Sequence, residues 1–163
     1  MRIPLKASKL PGGKGKLWKH QWKAIREATR KPYYGLLMEQ GTGKTVVALS
    51  NIGVRYDRGE VRRVLVFTTK STLYSWEYWS KLLLNLPNRV YVLEGRSTER
   101  DRFVTELRSM GTHDDLVILV TNYAASLSIE QELMAWNPDM VIVDESHHVK
   151  SSKSKMSRAI HRI

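Results

Sequence analysis

The sequence predicts an α/β fold in which a mostly parallel β-sheet is covered by helices on both faces. Three observations predict it. Stretches of strand composition alternate with stretches of helix composition along the chain. The strand stretches are continuous Val/Ile/Leu runs, as expected for strands buried on both sides. The length, 163 residues, suits one compact domain with a sizeable core. A sheet of this kind takes its ligand beyond the carboxyl ends of its strands, so the chemistry should lie in the loops that follow them.

Each element has its own justification. Residues 1–16, with Pro4, Pro11 and the run Gly12-Gly13-Lys14-Gly15, read as a basic irregular arm. Order is expected to begin near Leu17, where Leu17, Gln21, Ile25 and Ala28 keep a period close to 3.6 until Lys31-Pro32 ends the helix. The apolar run 33–38 predicts a first strand, followed by a Gly-rich turn and a helix over 45–55. Further strands are predicted at 63–68, 89–93, 116–120 and 140–143, with helices near 72–84, 98–110 and 123–136 between them. The chain shows no internal repeat, linker or low-complexity tract, so residues 17–163 read as one domain.

Composition narrows the function classes. With 42% apolar and 26% charged residues the chain is globular in character rather than disordered. No stretch approaches eighteen uncharged apolar residues, and the basic start lacks the apolar core of a secretory signal. The expected location is therefore the cytoplasm, or the nucleus or host cytoplasm if the source is eukaryotic or viral, with no membrane partner. The lack of cysteine excludes disulfides and thiolate metal sites. The net charge of +11 is concentrated at the ends: residues 1–31 hold ten Lys/Arg against one acid, residues 147–163 hold five against none, and the middle is mildly acidic. Basic ends attract phosphate backbones whatever their sequence, although a charged tail also serves solubility alone.

Two segments carry chemistry. Met38-Glu39-Gln40-Gly41-Thr42-Gly43-Lys44-Thr45 stands where a predicted strand gives way to a helix. Gly41 and Gly43 let the backbone curl so that N–H groups, including those flanking Gln40 and Thr42, point at phosphate oxygens, with the positive end of the next helix behind them. Lys44 adds a charge at the β- and γ-phosphates, and Thr45 offers a hydroxyl to magnesium. The strict pattern has glycine where this chain has Met38, so the match is to the shorter form G-x-G-K-T, and an ordinary Gly-rich turn is the plain alternative. About one hundred residues later, Met140-Val141-Ile142-Val143-Asp144-Glu145-Ser146-His147 delivers two adjacent carboxylates from a buried strand. Asp144 can hold Mg²⁺ through its water shell and Glu145 can take a proton from water attacking the γ-phosphate. The plain alternative is a helix N-cap with a first-turn acid.

At these residues the chain resembles superfamily 2 helicases and translocases. Asp144-Glu145-Ser146-His147 is similar to their DExH box, and Glu39 to Thr45 resembles the DEMGLGKT loop of the Swi/Snf-type branch. Leu17-Trp18-Lys19-His20-Gln21 is similar to that branch's L-x-x-Y-Q element, which implies that Gln21 reads the adenine edge and that the nucleotide is ATP. The segment from Leu65 to Trp76 resembles L-I-V-x-P-x-S-L-L-x-N-W, implying that Thr69, Lys70 and Ser71 face a nucleic-acid backbone. Val120-Thr121-Asn122-Tyr123 is similar to V-T-S-Y, which gives Thr121 and Asn122 the same role. His147 takes the coupling position of the box. Thr69 stands for the family's proline, His20 for its tyrosine and Met38 for its leading acid.

The resemblance implies the N-terminal RecA-like lobe of an ATP- and Mg²⁺-dependent motor on nucleic acid, DNA being favoured over RNA. The family's T-G-T-P segment and a second lobe with an arginine finger do not occur in these 163 residues. The expectation is accordingly a lobe truncated after the DExH box that binds nucleotide, turns it over slowly, and self-associates through a sheet edge at 34–38. Two rivals are a small-molecule P-loop kinase and a nucleic-acid- or partner-binding module with no working ATPase. Among other residues, Trp18 and Trp22 read as helix packing before an adenine platform, and Trp76 and Trp79 as anchors of a helix to the sheet. Adjacent His147 and His148 point to opposite sides and make a poor zinc pair. Lys150 to Lys155 read equally as solvated surface or as a ridge beside nucleic acid.

Overall fold

The computed structural model describes residues 1–11, 15–110, 114–149, 151 and 154–163. Gly12, Gly13 and Lys14 of the arm, and Lys150, Ser152 and Lys153 of the basic tail, lie outside the described residues, as does the side chain of His148. Four strands form one sheet: β1 (Arg63–Thr68), β2 (Asn88–Val92), β3 (Leu116–Asn122) and β4 (Met140–Val143), in the order β2-β3-β1-β4. Every pairing is parallel, with Val64 opposite Ile118 and Met140, and Phe67 opposite Thr121 and Val143. The helices are α1 (Lys19–Ala28), α2 (Lys44–Asp57), α3 (Leu73–Leu83), α4 (Ser97–Ser109), α5 (Tyr123–Ser128), α6 (Glu130–Trp136) and α7 (Lys155–Arg162).

Successive strand residues point to opposite faces, and both faces are filled. Val64 and Val66 of β1 and Ile118 and Val120 of β3 pack with Leu49 and Ile52 of α2 and Leu73, Trp76 and Leu83 of α3. Leu65, Phe67 and Leu119 pack on the other side with Val104 of α4, Leu133 and Trp136 of α6 and Ile160 of α7. Burying each such side chain contributes about 1.5–3 kcal/mol, which makes the β1–β3 pair the most strongly determined part of the molecule. The α/β fold with helices on both faces is thus present as the continuous apolar runs predict.

Three local expectations are corrected. The run 33–38 forms no strand; Tyr33 and Leu37 are exposed, and the sheet edges among the described residues are β2 and β4. A strand exists only where its N–H and C=O groups find a ladder, and this run pairs with no described strand of the sheet. The helix at 123–136 is two helices, broken at Ile129, whose backbone (φ −133°, ψ 30°) leaves the helical region while its side chain is fully buried. The described part of the arm before Gly12, residues 1–11, is docked on the body of the domain. Leu5 bridges Leu84 antiparallel, Lys6 N–H donates to Leu83 O at 2.7 Å, Asn85 N–H donates to Pro4 O at 2.9 Å, and Leu10 joins the core. Its few apolar residues have a hydrophobic surface to cover, and that outweighs the Pro/Gly-rich composition.

Candidate nucleotide and nucleic-acid site

The glycine turn opens α2 as its chemistry requires. Gly43 is the residue before the helix at φ 86°, and Gly41 sits at φ 79°, both in the left-handed region that side chains disfavour. A Cβ on Gly41 would meet nothing within 4 Å, so this part of the loop faces open space. The first-turn N–H groups of α2 have no intrahelical partners, and they point where an anion can sit. Thr42 Oγ1 donates to Glu39 O at 2.6 Å and closes the turn. Lys44 Nζ donates to Met38 O at 3.2 Å and Glu39 O at 3.3 Å. These are carbonyls of its own loop, leaving the ammonium beside the cradle. Gln40 is exposed, and Thr45 is partly exposed behind the lysine.

Gln21 ties α1 to this loop. It is buried, its Oε1 accepts from Trp18 N–H at 3.0 Å, and its Nε2 donates to Thr42 O at 3.1 Å. His20 Nε2 lies 3.2 Å from the same carbonyl, a contact that the substitution at the family's tyrosine gave no reason to expect. The packing role predicted for Trp18 and Trp22 is corrected. The buried face of α1 is Gln21, Ala24, Ile25 and Ala28, and the two tryptophans are 45% and 40% exposed. Trp18 precedes the helix as its N-cap, and Trp22 follows Gln21 by about 100° of rotation, which leaves it at the margin of the buried face.

The acidic pair lies at the end of β4. Asp144 N–H donates to Phe67 O at 2.9 Å, extending the β4–β1 ladder, so the carboxylate emerges beside the end of β1. Its Oδ2 accepts from Trp76 Nε1 at 2.8 Å and from Thr68 Oγ1 at 3.1 Å, while Oδ1 accepts from Glu145 N–H at 3.1 Å. Trp76 anchors α3 to the sheet as expected and is 3% exposed, yet it also holds the acid, which apolar patterning does not reveal. The Tyr123 hydroxyl donates to Asp144 O. Burial first, then the charges of Asp144 and Glu145, pushes the Tyr123 phenol above its ordinary range. Glu145 is exposed, at φ 53°, a left-handed backbone uncommon outside glycine, and its Oε2 is 3.2 Å from His147 Nδ1.

The residues expected at a nucleic-acid backbone divide. Lys70 and Ser71 are exposed and Thr69 is partly so, on the turn between β1 and α3. Thr121 and Asn122 are corrected: Thr121 is fully buried, and Asn122 is buried with its Oδ1 accepting from Ala125 N–H at 2.9 Å as the N-cap of α5. Neither side chain has a surface to offer a phosphate. Thr121 Oγ1 has no hydrogen-bond partner among the described residues. The glycine turn and the acidic pair therefore form two clusters, each at the end of a structural element. Their donor chemistry suits a magnesium nucleotide: backbone N–H groups and an ammonium for phosphates, with hydroxyl and carboxylate oxygens for a hard cation.

Comparison with known proteins gives this arrangement a family. The profile described as type III restriction enzyme, res subunit, matches residues 14–163. The human lymphoid-specific helicase is 27% identical over 126 residues, covering 76% of this chain and 15% of its own length. An ISWI chromatin-remodeling complex ATPase of Saccharomyces cerevisiae is 30% identical over 126 residues, covering 75% of this chain and 11% of its own. The chain thus spans a small part of the curated relatives it matches. The Sulfolobus solfataricus SWI2/SNF2 ATPase core in complex with dsDNA superposes with a TM-score of 0.70 at 24% identity, over 91% of this chain and 30% of that one. A nuclease-deletion mutant of the Type ISP restriction-modification enzyme LlaGI, with a DNA substrate mimic, gives 0.61 at 20%, over 81% and 15%. These two likenesses show the fold. With its glycine turn before α2 and its acidic pair after β4, this chain belongs to the type III restriction enzyme res-subunit family.

Proposed function

We propose that this chain is the ATP-binding lobe of a nucleic-acid-dependent ATPase that moves along DNA. The observation that carries the reading is the open glycine turn: Gly41 and Gly43 at φ 79° and 86° lead directly into α2, with Lys44 against the same loop. The relatives named as a helicase and an ATPase, and the two solved neighbours bound to DNA or its mimic, support it. Residues 40–45 cradle the phosphates, and Gln21 borders the adenine. Thr45 and Asp144 would hold Mg²⁺, which when bound offsets charge on the β- and γ-phosphates. Glu145, exposed and hydrogen-bonding distance from His147, orients and deprotonates the attacking water. Thr69, Lys70 and Ser71 meet the phosphate backbone, and the basic ends add a sequence-independent attraction. A second lobe elsewhere would supply the remaining charge for hydrolysis, so binding rather than turnover is the informative readout for this chain.

Lys44→Ala tests the reading. Removing charge-assisted hydrogen bonds of ~1.5–3 kcal/mol should weaken binding of a fluorescent Mg-ATP analogue by roughly ten- to a hundredfold. The far-UV circular dichroism should not change, since the residue's own hydrogen bonds go to two carbonyls of its loop, outside the helices and the sheet. A variant that binds as tightly as the wild type would remove the nucleotide from this loop.

A further inference from the structure

The turn between β1 and α3 holds four hydroxyls in a row that ends on the carboxylate of the acidic pair. Ser71 Oγ lies 2.9 Å from Thr69 Oγ1, Thr69 Oγ1 lies 2.8 Å from Thr72 Oγ1, and Thr72 Oγ1 lies 2.6 Å from Thr68 Oγ1. Thr68 Oγ1 in turn donates to Asp144 Oδ2 at 3.1 Å. The inner end is fully buried at Thr68 and the outer end is exposed at Ser71. Thus a row of hydroxyls connects the surface expected to meet nucleic acid with the acid expected to hold magnesium.

The direction of the row follows from counting protons. An ionised carboxylate only accepts, and each hydroxyl has one proton to give. Thr68 therefore gives its proton to Asp144 and must accept from Thr72. Thr72 Oγ1 also lies 3.2 Å from Thr69 O, a second acceptor for its one proton; when it gives that proton inward to Thr68 it accepts from Thr69, which accepts from Ser71. In that arrangement every proton in the row points at Asp144, and turning Thr72 to the Thr69 carbonyl breaks it. Such rows polarise cooperatively, so the inner bond is strengthened by the outer ones. Trp76 adds a fixed donor to the same oxygen at 2.8 Å. Its indole N–H has no other state, which makes Trp76 a positioning residue and the hydroxyl row the adjustable element.

We propose that Thr68, Thr69 and Thr72 form a relay through which a nucleic-acid phosphate at the turn raises the affinity of the Asp144 site for Mg-nucleotide. This rests on the reading of Thr69 to Ser71 as the nucleic-acid surface. A phosphate oxygen is an acceptor and competes for the protons of Ser71 and Thr69. Once they turn outward, Thr72 loses its donor, the inner bond weakens, and more electron density stays on Asp144 for the cation's water shell. By linkage, bound Mg-nucleotide raises the affinity for nucleic acid by the same factor.

The test is a thermodynamic cycle on the 163-residue chain. It uses anisotropy of a labelled non-hydrolysable ATP analogue in Mg²⁺, with and without a short DNA duplex, in the wild type and in Thr72→Val, Thr72→Ser and Trp76→Phe. In the wild type the duplex should tighten nucleotide binding about fivefold, the lower end of ordinary coupling factors. Thr72→Val, which interrupts the row without changing bulk, should bind nucleotide without DNA nearly as tightly as the DNA-bound wild type and gain nothing when DNA is added. Thr72→Ser should restore the wild-type pattern. Trp76→Phe leaves the hydroxyl row intact and should keep the coupling factor. A Thr72→Val chain that responds to DNA like the wild type overturns the relay. So does a wild type that binds the duplex with no change in nucleotide affinity. A wild type that binds nucleotide but no nucleic acid removes the surface reading, and the relay with it.

Discussion

Gly43 shows how much one missing methyl decides in this molecule. Its φ of 86° already disfavours any side chain, and a Cβ there would stand 2.4 Å from Gln21 Nε2. Gly41 shares the backbone requirement at φ 79° but faces open space. The two alanine variants should therefore differ. Gly41→Ala carries only the left-handed penalty of ~1–2 kcal/mol. Gly43→Ala must also displace Gln21 and break its bond to Thr42 O, adding about 1 kcal/mol. In thermal melts Gly43→Ala should fall further than Gly41→Ala by roughly 2–4 °C. Equal losses would mean that the Gln21 tie contributes nothing. The glycines, the lysine and the acidic pair were legible as sequence because each is a residue type that little else can replace. Thr68, Thr72, Trp76 and His20 were not, since threonines and an indole near a strand end look like ordinary packing until Asp144 is placed beside them.

Among the elements, α7 is the one whose attachment depends most on charge. It is capped by Ser154, whose Oγ accepts from Ser157 N–H at 3.0 Å, and buries Ala159 and Ile160. Arg162 grips Glu130 at the start of α6 with both arms, Nε to Oε1 at 2.5 Å and Nη2 to Oε2 at 3.0 Å. The hydrogen bonds from Arg162, and then its charge, hold the Glu130 carboxyl below its ordinary range. A carboxyl lowered in the folded state adds stability above its unfolded pKa, and that stability disappears as pH falls through the folded value. Glu130→Gln should therefore lower the melting temperature at neutral pH and match the wild type once the pH has fallen through the folded-state pKa of Glu130, with the neutral-pH difference shrinking in high salt. A difference that persists in acid would assign the effect to packing rather than to the ion pair.

For the molecule as a whole, the unfilled side of the sheet is the main liability. No strand pairs the outer side of β4 among the described residues, and the nearby run 33–38 exposes Tyr33 at 90% and Leu37 at 100%. Unpaired edges and apolar runs without a ladder invite association between chains. Sedimentation at rising concentration should show self-association that Leu37→Lys reduces, and a clean wild-type monomer throughout would count against it. The sequence by itself determined the alternation of elements, the parallel sheet buried on both faces, the glycine turn and the acidic pair, because these are written in period, residue type and order along the chain. Tertiary structure alone decided that 33–38 is no strand, that the arm is docked, that Thr121 and Asn122 are buried, and that Trp76 and a row of threonines hold Asp144. Each depends on which surfaces meet across distant segments, and a ladder, a burial or a hydrogen bond has no existence until its second half is in place.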